Sequence, residues 1–106
     1  MIKQVASLAD IEATIAANDQ VLVYLTGHNC GICQALRPQL EEVTANYPDL
    51  VVIEASLSDL PQLAGAFMVF TIPVVMLYGA GQERARFARV VPRADLVAAL
   101  DQLSYY

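Results

Sequence analysis

The chain has no tryptophan, one histidine and only two cysteines in its 106 residues, and charged residues make up just 16% of it. Six basic residues stand against eleven acidic ones, for a net charge of −5. Each shortage excludes something. An acidic chain with so few cations lacks the basic face that broad nucleic-acid binding needs. No apolar run approaches the roughly 18 residues that span a bilayer. The first residues, MIKQVASLADIEATIAAND, carry one lysine but no apolar block ahead of the acids, unlike a secretory signal. The expected setting is therefore cytoplasmic, with neither a membrane nor a nucleic acid as partner. Structural zinc usually takes four Cys or His ligands. Here the whole set is His28, Cys30 and Cys33. A complete zinc site would need a carboxylate or a second chain, so no metal is expected.

What is present points to a packed domain. Hydrophobic residues are 57% of the chain, far too many for a disordered segment. The length fits one domain, residues 1–106, with a core that needs no covalent staple. Ser7-Leu8-Ala9-Asp10 resembles a capping box, and the spacing of Leu8, Ile11 and Ile15 predicts a helix over 8–17. Gln20 to Leu25 reads as a strand. Thr26 to Asn29 is a turn, and Ala35, Leu36, Leu40 and Val43 give a helix to about Asn46, kinked by Pro38. Leu50 to Ala55 is a second strand, and Leu60 to Met68 a short helix. Pro73 to Tyr78 and Glu83 to Val91 form a hairpin across Gly79-Ala80-Gly81. Leu96, Val97, Leu100 and Leu103 mark the last helix, and Ile2 to Val5 a short first strand. This order predicts an α/β fold, a central mixed sheet with helices on both faces.

Both cysteines fall where a strand runs into a helix, in the stretch HNCGICQ. In a reducing compartment a close pair is redox-active or metal-binding more often than structural. A bridge across two residues also closes too small a loop to restrict the unfolded chain much. Cys30 stands at the helix start, where unpaired amides and the helix dipole favour an anion, so a thiolate there is stabilised. Cys33 lies one turn inside, close enough to attack a mixed disulfide formed at Cys30.

Over nearly its full length the sequence resembles the thioredoxin family. The resemblance rests on Val21-Leu22-Val23, Cys30-Gly31-Ile32-Cys33, Pro38, Thr71-Ile72-Pro73, Gly81 after the Val74 to Tyr78 strand, and the amphipathic last helix. It implies a cis peptide at Ile72-Pro73, with Pro73 facing the cysteines. It also implies a substrate groove formed by Asn29, Gly31, Ile32, Thr71, Ile72 and Pro73. Several residues depart from the family pattern. Asn29 replaces its usual tryptophan, Ile32 a proline and Gln34 a lysine. Tyr24 stands for a buried aspartate and Glu54 for a lysine near it, a pair implied to move the proton of the second cysteine. Tyr24 is expected to be a core aromatic that could tune the thiols, and Glu54 a solvated strand residue. His28 is a second candidate for thiolate tuning, or a plain solvated loop residue. An ungapped count from Pro73 puts Arg89 where many relatives have a groove glycine. Arg84 and Arg86 read as charges that protect an edge strand. Ser104-Tyr105-Tyr106 reads as a frayed end.

The expected activity is that of a thiol–disulfide oxidoreductase without a bound cofactor. Its substrates would be disulfide-containing proteins or low-molecular-weight thiols, and its electrons would come from a reductase or thiol reductant. The alternatives are a binding or redox-sensing module on the same scaffold, and a metal or cluster carrier in which two chains pool their cysteines.

Overall fold

Seven consecutive residues, QVLVYLT, fix the centre of the fold. They form strand β2 (Gln20–Thr26), and five of the seven are buried. A strand buried on both faces must sit inside a sheet covered on both sides. The computed structural model, which describes residues 2–106, places it there. Nine elements follow in order: β1 (Ile2–Gln4), α1 (Leu8–Ala17), β2, α2 (Gly31–Thr44), β3 (Val51–Ser56), α3 (Gln62–Phe67), β4 (Val74–Gly79), β5 (Gln82–Ala88) and α4 (Arg93–Leu103). The sheet runs β1-β3-β2-β4-β5. β1 and β2 pair with β3 in parallel, and β4 pairs antiparallel with β2 and β5.

Strand alternation divides the core. Leu22 and Tyr24 of β2, Val52 of β3, and Val75 and Leu77 of β4 face α2 and α4, meeting Leu36, Leu40 and Val43 of α2 and Leu96, Leu100 and Leu103 of α4. The alternate residues Val21, Val23, Leu25, Ile53 and Met76 face Ile11 and Ile15 of α1 and Leu63 of α3. This is the expected α/β architecture.

Helix α1 starts as its sequence predicts, with the Asp10 amide donating to Ser7 Oγ at 3.1 Å. Helix α2 carries its proline inside the helix. It continues unbroken through Pro38. Pro38 and Gln34 are both exposed, so the carbonyl left without the Pro38 donor lies on the water side. The C-terminus is not frayed either. Leu103 is buried, and the Tyr106 ring stacks against the Arg84 guanidinium, 4.0 Å from its centroid. β5 is an edge strand, and Arg86 on it pairs with Glu83 at 2.7 Å. At the β4–β5 turn Ala80 and Gly81 both have positive φ, which is what a tight two-residue hairpin requires.

The loop after α2 is fastened to α4 by Tyr47, whose hydroxyl donates to Asp101 Oδ1 at 2.7 Å. That hydrogen bond, followed by burial and the nearby negative charge, pushes the Tyr47 phenol from 10.0 up to about 12. A raised folded-state value means that the bond stabilises the fold below about pH 10, and that its contribution is lost as pH rises from 10 toward 12. We expect Tyr47→Phe to cost about 1 kcal/mol at neutral pH and to remove one tyrosine that titrates above the ordinary range from an ultraviolet pH titration.

Candidate active site

β2 ends at Thr26, and four connecting residues, 27–30, lead into α2 at Gly31. Gly27 opens the connection. A Cβ there would come within 2.7 Å of Ile72 Cδ1, so a larger residue would make the end of the Ile72 side chain turn aside. The His28 amide donates to Ser58 Oγ at 2.9 Å, holding the loop against the residues after β3. Asn29 then takes a left-handed conformation, φ 56°, which asparagine tolerates better than most residues. That turn delivers Cys30 to the N-cap of α2.

Cys30 and Cys33 are joined as a disulfide with Cα atoms 5.2 Å apart. Their surroundings are unequal. Cys33 is 2% exposed and lies in the core between β2 and α2, whereas Cys30 is only partly buried. The Cys33 amide donates to Cys30 Sγ at 3.1 Å. The Cys30 sulfur therefore takes the place of a capping oxygen, and a thiolate there would meet the same donor.

The other predicted residues fall into three groups. Gly31, Ile32 and Asn29 are exposed around the cysteines, Ile32 with half of its surface in water. Thr71 and Ile72 are half-buried and Pro73 is buried behind a cis Ile72–Pro73 bond, with Ile72 and Cys30 packed against the same core cluster. Arg89 is exposed one residue beyond β5, rather than within the strand, and its amide donates to the Pro73 carbonyl at 2.7 Å. His28 is directed elsewhere, its Nε2 2.9 Å from Asp59 Oδ1 with both side chains largely in water. Phe70 and Val90 were not anticipated. They are among the most exposed large apolar residues, and they directly precede Thr71 and follow Arg89. Phe70, Thr71 and Ile72 also line an open groove of about 450 Å³ toward α3. Apolar residues beside the Thr-Ile-Pro segment were the available signal.

Beneath the disulfide, Tyr24 is 1% exposed and its hydroxyl donates to the Cys33 carbonyl. Burial pushes its phenol above the ordinary 10.0, opposed by the Thr26 hydroxyl and reinforced by Glu54. At neutral pH Tyr24 is thus a donor and not a base. Glu54 corrects the expectation of a solvated residue: it is 8% exposed. It pairs with Tyr24 in the parallel β2–β3 register, and so shares the face under α2. Arg37 of α2 covers it, Nε to Oε1 at 3.1 Å, and Arg37 also reaches Glu41 at 2.6 Å. A cleft of about 300 Å³ lined by Gln4, Thr26, Glu54 and Ser56 meets this carboxylate at the strand ends. Arg37 was not singled out from sequence, although Arg37 and Glu41 at i, i+4 mark one helix face.

A family model described as Thioredoxin matches residues 3–102. The thioredoxin-like protein YdfQ of Bacillus subtilis is 35% identical over 85 residues, covering 80% of this chain and 76% of that protein. The chain belongs to the thioredoxin family. Mycoplasma pneumoniae thioredoxin is 22% identical over 102 residues, 96% of this chain and all of that one. The oxidised thioredoxin of Plasmodium falciparum superposes with a TM-score of 0.85 at 20% identity, over 96% of this chain and 97% of its own, a likeness of fold. With the family and its cysteine pair in place, the protein is a thiol–disulfide oxidoreductase. No helix among the described residues is long and apolar enough to cross a membrane.

In this thioredoxin-family site the Tyr24 hydroxyl pins the first turn of α2 to the central strand. Tyr24→Phe should cost about 0.5–1.5 kcal/mol in chemical denaturation, the range for one hydrogen bond. In the reduced protein it should also raise the alkylation rate of Cys33 relative to Cys30, measured on mass-mapped peptides, because the turn that shields Cys33 loses its anchor.

Proposed function

We propose that residues 1–106 act as one thioredoxin-like domain that exchanges electrons with disulfide-bonded proteins or low-molecular-weight disulfides, with Cys30 attacking and Cys33 resolving. The observation that carries these roles is the unequal exposure of the two sulfurs across one helical turn. The Cys30 thiolate attacks one sulfur of the substrate, forming a Cys30–substrate disulfide and expelling the other sulfur as a thiolate that takes up a proton. Cys33 then gives up its proton and attacks the Cys30 sulfur. The second substrate sulfur leaves as a thiol, and the protein keeps the Cys30–Cys33 disulfide. Two electrons have passed to the substrate, and no bound cofactor enters either step. A reductase or a thiol reductant returns the pair to the dithiol.

Several features support this assignment. The helix N-terminus and the Cys33 amide favour a thiolate at Cys30. Asn29, Gly31, Ile32, Thr71, Ile72 and Pro73 form the surface on which a substrate segment would lie. Tyr24 tunes the resolving cysteine by position rather than charge. The reducing cytoplasm is the compartment we assign, since a pair held this way is suited to cycling rather than to bracing the fold.

At neutral pH the reduced protein should alkylate at Cys30 well before Cys33. Cys33→Ser should accumulate a mixed disulfide with an added disulfide substrate, and Cys30→Ser should not. Equal alkylation, or turnover by Cys30→Ser, would remove these roles.

A further inference from the structure

The protein has five arginines, and four of them are engaged. Arg37 pairs with Glu54 and Glu41, Arg86 with Glu83, and Arg93 with Glu42. Arg84 donates to the Gly79 carbonyl and stacks on Tyr106. Among the described residues Arg89 is the one arginine whose guanidinium has neither an ion pair nor a hydrogen bond. Its backbone, by contrast, is firmly held. It has φ 67°, a conformation a bulky non-glycine residue adopts only at a cost, and its amide is fixed to the Pro73 carbonyl at 2.7 Å.

The sheet register locates this free cation. Leu25 of β2 is opposite Val74 of β4, and Val74 is opposite Ala88 of β5. One residue further on, Thr26, Pro73 and Arg89 stand side by side at the same end of the sheet, and Thr26 leads into the cysteine loop. Two inter-strand spacings, about 10 Å, separate the Arg89 backbone from β2. That is close to one screening length at physiological salt. Exposed apolar side chains share this end, with Ile32 51%, Phe70 80% and Val90 72% accessible, while His28 and Asp59 there are paired with each other. An unpaired cation beside exposed apolar side chains, on a protein whose net charge is −5, is positioned to select a partner.

We propose that Arg89 makes this surface selective for protein disulfides flanked by a carboxylate. The inference rests on the oxidoreductase function proposed above and names the class of substrate. The apolar residues would cover the segment around the partner's cysteine. Arg89 would pair with an Asp or Glu beside it, raising the rate of encounter.

The test uses two synthetic disulfide-bonded peptides that differ only in Glu or Gln next to the cysteine, each mixed with the fully reduced protein in single-turnover experiments. At low ionic strength the wild type should react with the Glu peptide about two- to fivefold faster, the range of a solvent-exposed ion pair. The preference should shrink at about 1 M salt, where the screening length is about 3 Å. Arg89→Gln should abolish it, Arg89→Lys should keep it and Arg89→Glu should invert it. All three keep a side chain on the same left-handed backbone, so folding is compared like with like. A wild type that reduces both peptides at one rate, or a preference that survives Arg89→Gln, overturns the inference alone. A wild type that reduces neither peptide overturns the oxidoreductase function with it.

Discussion

The amide of Cys33 points at the sulfur of Cys30 from 3.1 Å, and the rest of the molecule is arranged so that it does. The contact needs a helix that begins at Cys30 and a strand that ends just before it. β2 meets the second condition because it is buried on both faces between β3 and β4, leaving no other course for the chain than out of the sheet end. α2 meets the first because Leu36, Leu40 and Val43 lock it over Leu22 and Tyr24 of the same strand. The strand and helix that present the sulfurs are therefore also the centre of one half of the core. Loosening that core would move the chemistry.

The polar layer beneath this junction differs from the aspartate–lysine pair that the sequence resemblance implied. A buried phenol, not a carboxylate, lies under Cys33, and the carboxylate is one strand over at Glu54 with Arg37 closing it off. A carboxylate this buried requires a partner, because an unpaired charge in a poorly solvated site is costly. Arg37 supplies the charge from the helix that carries the cysteines, so pairing the carboxylate also binds α2 to β3. Tyr24 needs no counter-ion. It contributes a fixed donor, which constrains position without adding charge next to a sulfur that must become a thiolate.

The parts legible in the sequence were those set by local periodicity. Leu8, Ile11 and Ile15 placed α1, and the β-branched run from Gln20 placed β2, because side-chain spacing within one element reports its buried face. The cysteine pair was legible through its place at a strand–helix boundary. Glu54 was not. Its strand, VVIEAS, is buried through most of its length, so alternation gives no contrast between inside and outside. Its partner Arg37 lies 17 positions earlier on another element. The resting place of Tyr106 on Arg84 was hidden for the same reason, since contacts between distant segments leave no local trace. The backbone of Arg89 could not be inferred from an arginine at all. Only the expectation of glycine there hinted at a left-handed residue.

Among the described residues four non-glycine residues have positive φ, and their distribution bears on how the active end keeps its shape. Met68 ends α3 and Ala80 turns the hairpin, so both are ordinary punctuation. Asn29 and Arg89 lie at the end of the sheet that carries the cysteines. Each is held by a bond from its own or a neighbouring amide: His28 to Ser58 at 2.9 Å, and Arg89 to Pro73 at 2.7 Å. A left-handed residue persists only where its surroundings over-determine it. The CGIC loop lacks an internal proline, yet its neighbours are fixed by these bonds, by the capping sulfur and by the Tyr24 hydroxyl. Side chains such as Ile32 and Arg89 can then vary in chemistry while the backbone that displays them stays in place. A surface ordered in advance loses less entropy when a partner docks. Selectivity at this end can therefore come from which side chains are displayed, without reshaping the loop that holds the sulfurs.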